Sequence, residues 1–227
     1  MDFLEFEKNI NYTFKDKDLL KQALMHSSYA NDKKLSKFQN NERLEFLGDA
    51  VLELSVSEYI YSKYLNKPEG ELTRLRASIV CEPTLAECAR AISLDKFILL
   101  GRGEERTGGR NRDSIISDAF EAVLGAVYLD GGFANAKEFV KAFVLCDLKE
   151  KQLFYDSKTI LQEYVQKTYK VAVSYEVIKE SGPDHAKVFE VNALIDDKVV
   201  GTGSGTSKKH AEQKASYNAL KGLGVGL

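Results

Sequence analysis

The pattern of apolar and polar positions divides the chain into two parts with different periodicities. Up to about residue 150, apolar residues recur at the spacing of amphipathic helices. From residue 157, one helical stretch precedes three short segments in which apolar and polar residues alternate, and a last helical stretch follows. The pattern therefore predicts an all-α N-terminal domain over residues 1–150 and an α+β (α-β-β-β-α) domain over residues 156–225.

The helices predicted in the first part are 3–9, 16–25, 40–64, 71–80, 83–92, 113–129 and 133–149. Those of the second part are 157–169 and 208–221, with strands at 171–178, 187–195 and 198–203. Asp130-Gly131-Gly132 is predicted to end a helix, since glycine is favoured just past a helix end. Two polar segments, 26–39 and the glycine-rich 100–111, are predicted to be loops.

Acidic residues line one face of the helix predicted over 40–64. Glu42, Glu45 and Asp49 are spaced i, i+3 and i+7, which puts all three carboxylates on the same side. They either bind a divalent cation or form an ordinary solvated face. Gly48 lies inside this helix at a cost of about 0.8–1.0 kcal/mol relative to alanine, which indicates close approach of another backbone. Asp118 and Glu121 form a second acidic pair, spaced i, i+3, on the helix predicted over 113–129.

Composition places the chain among ordinary globular proteins. It has 227 residues, 44% hydrophobic and 29% charged, which is enough for one large or two ordinary domains. No apolar run is long enough for a membrane span, and the N-terminus does not resemble a signal peptide. The three widely spaced cysteines are expected to be reduced thiols. These features predict a cytoplasmic protein without a membrane partner or organic cofactor.

Basic residues cluster at one point near the C-terminal end. The net charge is −2, and residues 156–227 carry ten lysines against nine acidic residues, so neither the chain nor its second part is basic as a whole. Lys208 and Lys209, however, begin a predicted helix, where their charges oppose the helix dipole. They either contact phosphate groups or form a solvated pair.

Two other features leave alternatives open. His26 is a possible general base, although a structural hydrogen bond is the simpler interpretation. Segment 100–111 lacks the spacing of a phosphate-binding P-loop. It is predicted to be a mobile polar loop, with phosphate contact by Arg102, Arg106 or Arg110 as the alternative.

Taken together, these motifs resemble bacterial ribonuclease III over nearly the whole chain. Asn-Glu-Arg-Leu-Glu-Phe-Leu-Gly-Asp at 41–49 is the hallmark of its nuclease domain, and Glu69-Gly70 and Asp118-Ala-Phe-Glu121 stand where its other motifs fall. Residues 157–222 resemble its double-stranded RNA-binding domain, through Leu-Gln-Glu at 161–163, Gly-Pro-Asp-His at 182–185 and Ser-Lys-Lys-His-Ala-Glu-Gln at 207–213. Ser216 replaces the usual alanine.

The resemblance implies specific roles for these residues. The catalytic metal-binding cluster would be Glu45, Asp49, Asp118 and Glu121, with further acidic positions along the cleavage valley at Glu42 and Glu69. Phe46 would fill a pocket on the partner subunit of a homodimer. Double-stranded RNA would be contacted in its minor grooves by Gln162, Glu163 and His185, and at its phosphates by Lys208 and Lys209.

The chemistry expected from this resemblance is hydrolysis of phosphodiester bonds in double-stranded RNA. Carboxylate ligands suit Mg²⁺, with Mn²⁺ as a substitute, and argue against zinc. Glu45, Asp118 and Glu121 would ligate the metal, while Asp49 would orient the attacking water or complete a second metal site. The products would have 5′-phosphate and 3′-hydroxyl ends with short 3′ overhangs, and the substrates would be rRNA precursors and structured mRNA and tRNA transcripts.

Two other functions remain possible from the sequence. A non-catalytic regulator that binds double-stranded RNA would keep the second domain but lack a cluster carboxylate, and none is missing here. A metal phosphohydrolase that acts on another substrate would not need the second domain.

Overall fold

In a computed structural model, the chain forms two compact units, Met1–Leu148 and Lys149–Leu227, each with its own core. The structure describes residues 3–146, 153–154, 157–182, 187–205 and 207–225. The predicted class of each domain is confirmed: the first unit is helical, and the second joins helices to an antiparallel sheet. The domain bounds 1–150 and 156–225 stay predictions.

The helices of the first unit are α1 (Phe3–Asn9), α2 (Lys17–Ala23), α3 (Ser27–Asp32), α4 (Glu42–Lys63), α5 (Glu69–Ile79), α6 (Glu82–Ala91), α7 (Arg102–Arg106) and α8 (Asp113–Phe143). Short 3₁₀ turns lie at Leu94–Lys96 and Gly109–Asn111. Gly132 interrupts α8 with φ 80° and ψ 175°, so the predicted break after residue 129 is confirmed as a kink. None of the described helices is long and apolar enough to cross a membrane.

The predictions of simple loops at 26–39 and 100–111 were wrong, because each segment contains a short helix. Helix α3 begins where the His26 side chain accepts a hydrogen bond from the backbone N–H of Ser28, 3.3 Å away. Around α7, Arg110 pairs with Glu105 at 2.6 Å. Helices of five or six residues are too short to show apolar periodicity, so the pattern of apolar positions did not reveal them.

Helices α4 and α8 pack backbone against backbone at the centre of the first unit. A Cβ atom added at Gly48 would lie 1.8 Å from the carbonyl oxygen of Glu121, and one at Gly125 would lie 2.3 Å from that of Leu44. The close approach predicted from Gly48 is therefore confirmed, and α8 is the element that approaches. This contact aligns the two helices that carry the predicted carboxylates.

The second unit consists of α9 (Ser157–Tyr169), β1 (Val173–Ser181), β2 (Val188–Ile195), β3 (Lys198–Gly205) and α10 (Lys208–Gly222). The strands form an antiparallel sheet of order β1-β2-β3. The predicted turn at Asp196 and Asp197 is confirmed, and both residues have positive φ, 49° and 60°. The predicted turn at 182–184 lies partly outside the described residues.

Helix α10 lies directly on strand β3. A Cβ atom at Gly203 would lie 2.2 Å from the backbone nitrogen of Ala215, and one at Gly201 would lie 2.3 Å from the carbonyl oxygen of that residue. The facing positions on α10 are small and buried, namely Ala211, Ala215 and Ala219. Small residues on both sides therefore set the short distance between the sheet and the helix that carries Lys208 and Lys209.

Candidate active site

The first half of the site lies on the N-terminal turns of α4. The Asn40 side-chain oxygen accepts a hydrogen bond from the Glu42 backbone N–H at 3.3 Å, which satisfies one free donor at the helix start. Glu45 is half-buried and Asp49 is exposed on the same side of the helix. Gly48, next to Asp49, is the residue in contact with the backbone of Glu121.

The second half of the site lies on α8, where Asp118 and Glu121 are both half-buried. Burial, followed by the charges of Asp49, Asp118, Glu45 and Glu53, raises the pKa of Glu121 to about 8. Such coupling requires these carboxylates to lie near one another. The packing of α8 on α4 therefore brings together the acidic residues of both helices.

The same crowding acts on the α4 carboxylates. Burial raises the pKa of Glu45 to about 7, followed by the charges of Asp118, Glu42 and Asp49. Burial also raises the pKa of Asp118, partly offset by the His26 imidazole and by the Ser117 hydroxyl. Glu42 thus belongs electrostatically to the cluster.

The donor chemistry of this cluster fits a hard divalent cation, because every donor is a carboxylate oxygen. A cation would also offset the burial and the mutual repulsion that together raise the pKa of Glu45 and Glu121. In the described part of the chain, no group of three or more His, Cys, Asp or Glu side chains is already converged on one metal position.

Glu53 is an acidic neighbour that the sequence analysis missed. It lies four residues after Asp49 on the same face of α4, a spacing that would have pointed to it. Its carboxylate pairs with Nε of Arg76 on α5 at 2.7 Å, and the Arg76 guanidinium also donates to Ser57 Oγ at 3.0 Å. Arg76 thus balances one charge beside Glu121, which only the packing of α5 on α4 reveals.

Two of the predicted residues, Phe46 on α4 and Glu69 on α5, are exposed. Phe46 is 81% exposed, and Leu54 and Tyr61 continue the same side of α4 as exposed apolar residues. Glu69 accepts a hydrogen bond from the Thr73 hydroxyl at 2.8 Å and lines a groove of about 320 Å³ with Leu54 and Tyr61. Glu69 is not among the charges that raise the pKa of Glu45 and Glu121.

Four of the five predicted RNA-binding residues, Gln162, Glu163, Lys208 and Lys209, lie on exposed surfaces of the second unit. Gln162 and Glu163 line a shallow depression on one face of α9. Lys208 begins α10 and pairs with Glu180 at 3.1 Å, while Lys209 is exposed beside it. His185 lies outside the described residues.

Comparisons with known proteins assign this architecture to a class. Residues 16–148 match a family described as ribonuclease-III-like, and residues 157–223 match the double-stranded RNA binding motif. Ribonuclease 3 of Streptococcus pneumoniae strain Hungary19A-6 is 54% identical over 213 residues, covering 92% of both chains. A solved nuclease domain of ribonuclease III from Campylobacter jejuni has a TM-score of 0.59 at 44% identity, covering 63% of this chain and 96% of that one.

An all-helical domain with a carboxylate cluster, followed by a double-stranded RNA binding motif, therefore defines the class. The chain belongs to the ribonuclease III family. It is an endoribonuclease that acts on double-stranded RNA, as the resemblance in its sequence predicted. Membership of this family is consistent with the use of a divalent metal ion.

Proposed function

We propose that the enzyme uses Mg²⁺, with Mn²⁺ as a substitute, to hydrolyse double-stranded RNA into products with 5′-phosphate and 3′-hydroxyl ends. The observation that carries this proposal is the crowding of carboxylates between α4 and α8. Burial and the charges of the neighbouring carboxylates raise the pKa of Glu45 to about 7 and that of Glu121 to about 8, so the fully ionised cluster is costly without a counter-ion. A divalent cation provides that counter-ion, and oxygen ligands favour Mg²⁺ over softer metals.

Glu45, Asp118 and Glu121 are the proposed metal ligands. When bound, the metal would lower the pKa of a coordinated water and neutralise charge on the phosphoryl oxygens. Asp49, which is more exposed than these three ligands, orients or deprotonates the attacking water or completes a second metal site. Glu42 and Glu69 are proposed as further acidic positions along the cleavage valley.

The second unit is proposed to hold the duplex by its shape. Gln162 and Glu163 on the exposed face of α9 suit a minor groove, where 2′-hydroxyl groups are accessible. Lys208 and Lys209 suit phosphate oxygens at the start of α10. His185 is proposed as a minor-groove contact from its sequence position. Because the A-form major groove does not admit side-chain readout, we expect weak sequence specificity.

We further propose that the enzyme acts as a homodimer. The exposed side of α4 formed by Phe46, Leu54 and Tyr61 gives an apolar surface, and the groove beside it offers a receptor for an aromatic ring. A related solved structure from Campylobacter jejuni is described as flexible in a region involved in dimer formation. A two-fold dimer would present one site to each antiparallel strand, which accounts for staggered cuts with short 3′ overhangs.

The proposed substrates are rRNA precursors and structured mRNA and tRNA transcripts, because their long stems present the A-form duplex that a double-stranded RNA-binding domain recognises. Cleavage of such transcripts would place the enzyme in the cytoplasm. A regulator that binds RNA without cutting it is disfavoured, since Glu45, Asp49, Asp118 and Glu121 are all present and electrostatically coupled.

The test replaces Glu121 by glutamine, which keeps the side-chain volume but removes the charge. With long double-stranded RNA and Mg²⁺, we expect cleavage by Glu121→Gln to fall roughly 100-fold or more, with duplex binding unchanged in chelator. Glu138→Gln, an exposed change on the same helix, is the control and should cleave normally. Mapping of product ends from the unaltered enzyme tests the end chemistry. Equal loss of binding and cleavage would contradict the role of Glu121.

A further inference from the structure

Lys208, one of the two proposed phosphate contacts, is held against the sheet of the second unit. Its ammonium group lies 3.1 Å from Oε1 of Glu180, the penultimate residue of β1. The same ammonium group lies over the ring of Phe189 on β2, 5.5 Å from the ring centroid. The lysine and glutamate side chains remain 57% and 43% exposed, so the pair is formed at the surface of the unit.

A shift of register in β1 places Glu180 at this position. Val177 on β1 is opposite Val191 on β2. Regular antiparallel pairing would then place Lys179 opposite Phe189. The register shifts by one residue between Val177 and Lys179, and Glu180 takes this position instead. The irregularity thus puts a carboxylate, and not a second ammonium group, beside the lysine on α10.

The position of α10 is secured by other contacts. Lys158 on α9 pairs with Glu212 on α10 at 2.5 Å, and these side chains are less exposed than the surface pair. The first turn of α10 is capped by Ser207, whose hydroxyl oxygen accepts a hydrogen bond from the backbone N–H of His210 at 3.2 Å. The pair that includes Glu180 can therefore open without loss of the packing between the helices.

A phosphate group that contacts Lys208 meets the Glu180 carboxylate at the same place. An ammonium group beside a carboxylate attracts a second anion less strongly, and the carboxylate itself repels that anion. Exposed ion pairs are weak, so a phosphate group is able to displace this one. Glu180 therefore opposes the phosphate contact without preventing it.

We propose that Glu180 competes with the RNA backbone for Lys208. Its carboxylate holds the ammonium group over Phe189 in the free protein, and a phosphate group of the duplex displaces it on binding. This inference rests on the proposed function, in which Lys208 contacts phosphate. Glu180 then sets the affinity of the second unit for the duplex, and it does so through Lys208.

Two substitutions separate this competition from a general effect of charge. Glu180→Gln removes the charge and keeps the shape of the side chain. Glu176→Gln is the matched control, because it makes the same change at an exposed residue of the same strand. The Tyr175 hydroxyl lies 2.7 Å from Ser216 Oγ on α10, so the adjacent Glu176 points to the other face of the sheet. Only the first substitution should release Lys208.

The measurement is the dissociation constant of the full chain for an RNA duplex of about 16 base pairs, the length that one such domain spans. Fluorescence anisotropy in chelator gives it over a series of salt concentrations. At low salt we expect Glu180→Gln to bind about 3- to 5-fold more tightly, the range of a weak exposed ion pair, and Glu176→Gln to bind as the unaltered protein does. In the unaltered protein, salt weakens the competing pair as well as the phosphate contact, so Glu180→Gln should also show the steeper salt dependence.

Lys208→Ala, alone and combined with Glu180→Gln, shows whether the gain passes through the lysine. Most of the gain should be lost in the Lys208→Ala background, while the thermal unfolding midpoint confirms that each variant is folded. An equal gain in both backgrounds, or an equal gain from Glu176→Gln, would overturn the inference, because Glu180 would then act only as a general negative charge. Unchanged or weaker binding by Glu180→Gln would overturn it as well.

Failure of the proposed function looks different from failure of this inference. In that case the unaltered protein does not bind the duplex, or Lys208→Ala binds it as tightly as the unaltered protein does.

Discussion

Alanine at Gly48 tests the packing on which the whole site depends. The added Cβ would lie 1.8 Å from the carbonyl oxygen of Glu121 and 2.6 Å from its carbonyl carbon. A Cβ atom essentially never lies within 3.0 Å of a non-bonded heavy atom. Helices α4 and α8 would therefore have to separate by about 1.2 Å at this point. The obstacle is backbone, which cannot rotate away as a side chain can.

The expected change in the free energy of unfolding follows from two opposing effects. Alanine gains about 0.8–1.0 kcal/mol over glycine within a helix. Overpacking a well-packed core costs typically about 1–3 kcal/mol, and a backbone obstacle belongs at the upper end of that range. We expect the free energy of unfolding of Gly48→Ala to fall by about 2 kcal/mol, which corresponds to a midpoint about 4–8 °C lower. The displaced Glu121 should also reduce cleavage by about 100-fold.

The assay is thermal and urea unfolding followed by far-ultraviolet circular dichroism, with cleavage of long double-stranded RNA measured well below the unfolding midpoint. Gly70→Ala is the matched control, because this glycine also lies in a helix but an added Cβ would meet nothing within 4 Å. It should be neutral or stabilising by up to about 1 kcal/mol. A Gly48→Ala variant as stable and active as Gly70→Ala would refute the close packing of α4 on α8.

Three other outcomes can be measured. Because the pKa values of Glu45 and Glu121 are raised to about 7 and about 8, their contribution to stability is present at low pH and lost as pH rises through those values. In chelator, the unfolding midpoint should therefore fall between about pH 5 and pH 9, and Mg²⁺ should restore it most at the upper end; a pH-independent effect of Mg²⁺ would contradict the coupling. Phe46→Asp should weaken the proposed dimer at least about 30-fold in analytical ultracentrifugation, whereas a stable dimer would exclude an interface role. Replacing both Lys208 and Lys209 by alanine should weaken duplex binding and reduce its salt slope by up to about 2, and an unchanged slope would argue against phosphate contact.

Local features of the sequence were sufficient to predict most of the helices and strands. The 3.6-residue period of α4, the alternation in β2 and the glycines at 131–132 depend on residues close in the chain, and each was predicted. The short helices α3 and α7, by contrast, were not predicted. Each spans only five or six residues, beside a histidine cap or an ion pair, so there is no apolar periodicity to detect.

For the site, the sequence by itself determined which carboxylates share a helix face, because helical spacing places Glu45 with Asp49 and Asp118 with Glu121. It also indicated that a backbone approaches Gly48. Only the tertiary structure decided that this backbone is Glu121, which sets the two acidic faces against each other.

The partners of Glu53 and Ser28 depended entirely on packing. Arg76 reaches Glu53 from another helix, and Gly101 holds Ser28 and His26 from across the fold. Spacing along a helix is a property of the chain over a few residues, so the sequence reveals it. Contacts between distant segments depend on how the helices pack against one another, and only the folded structure contains that information.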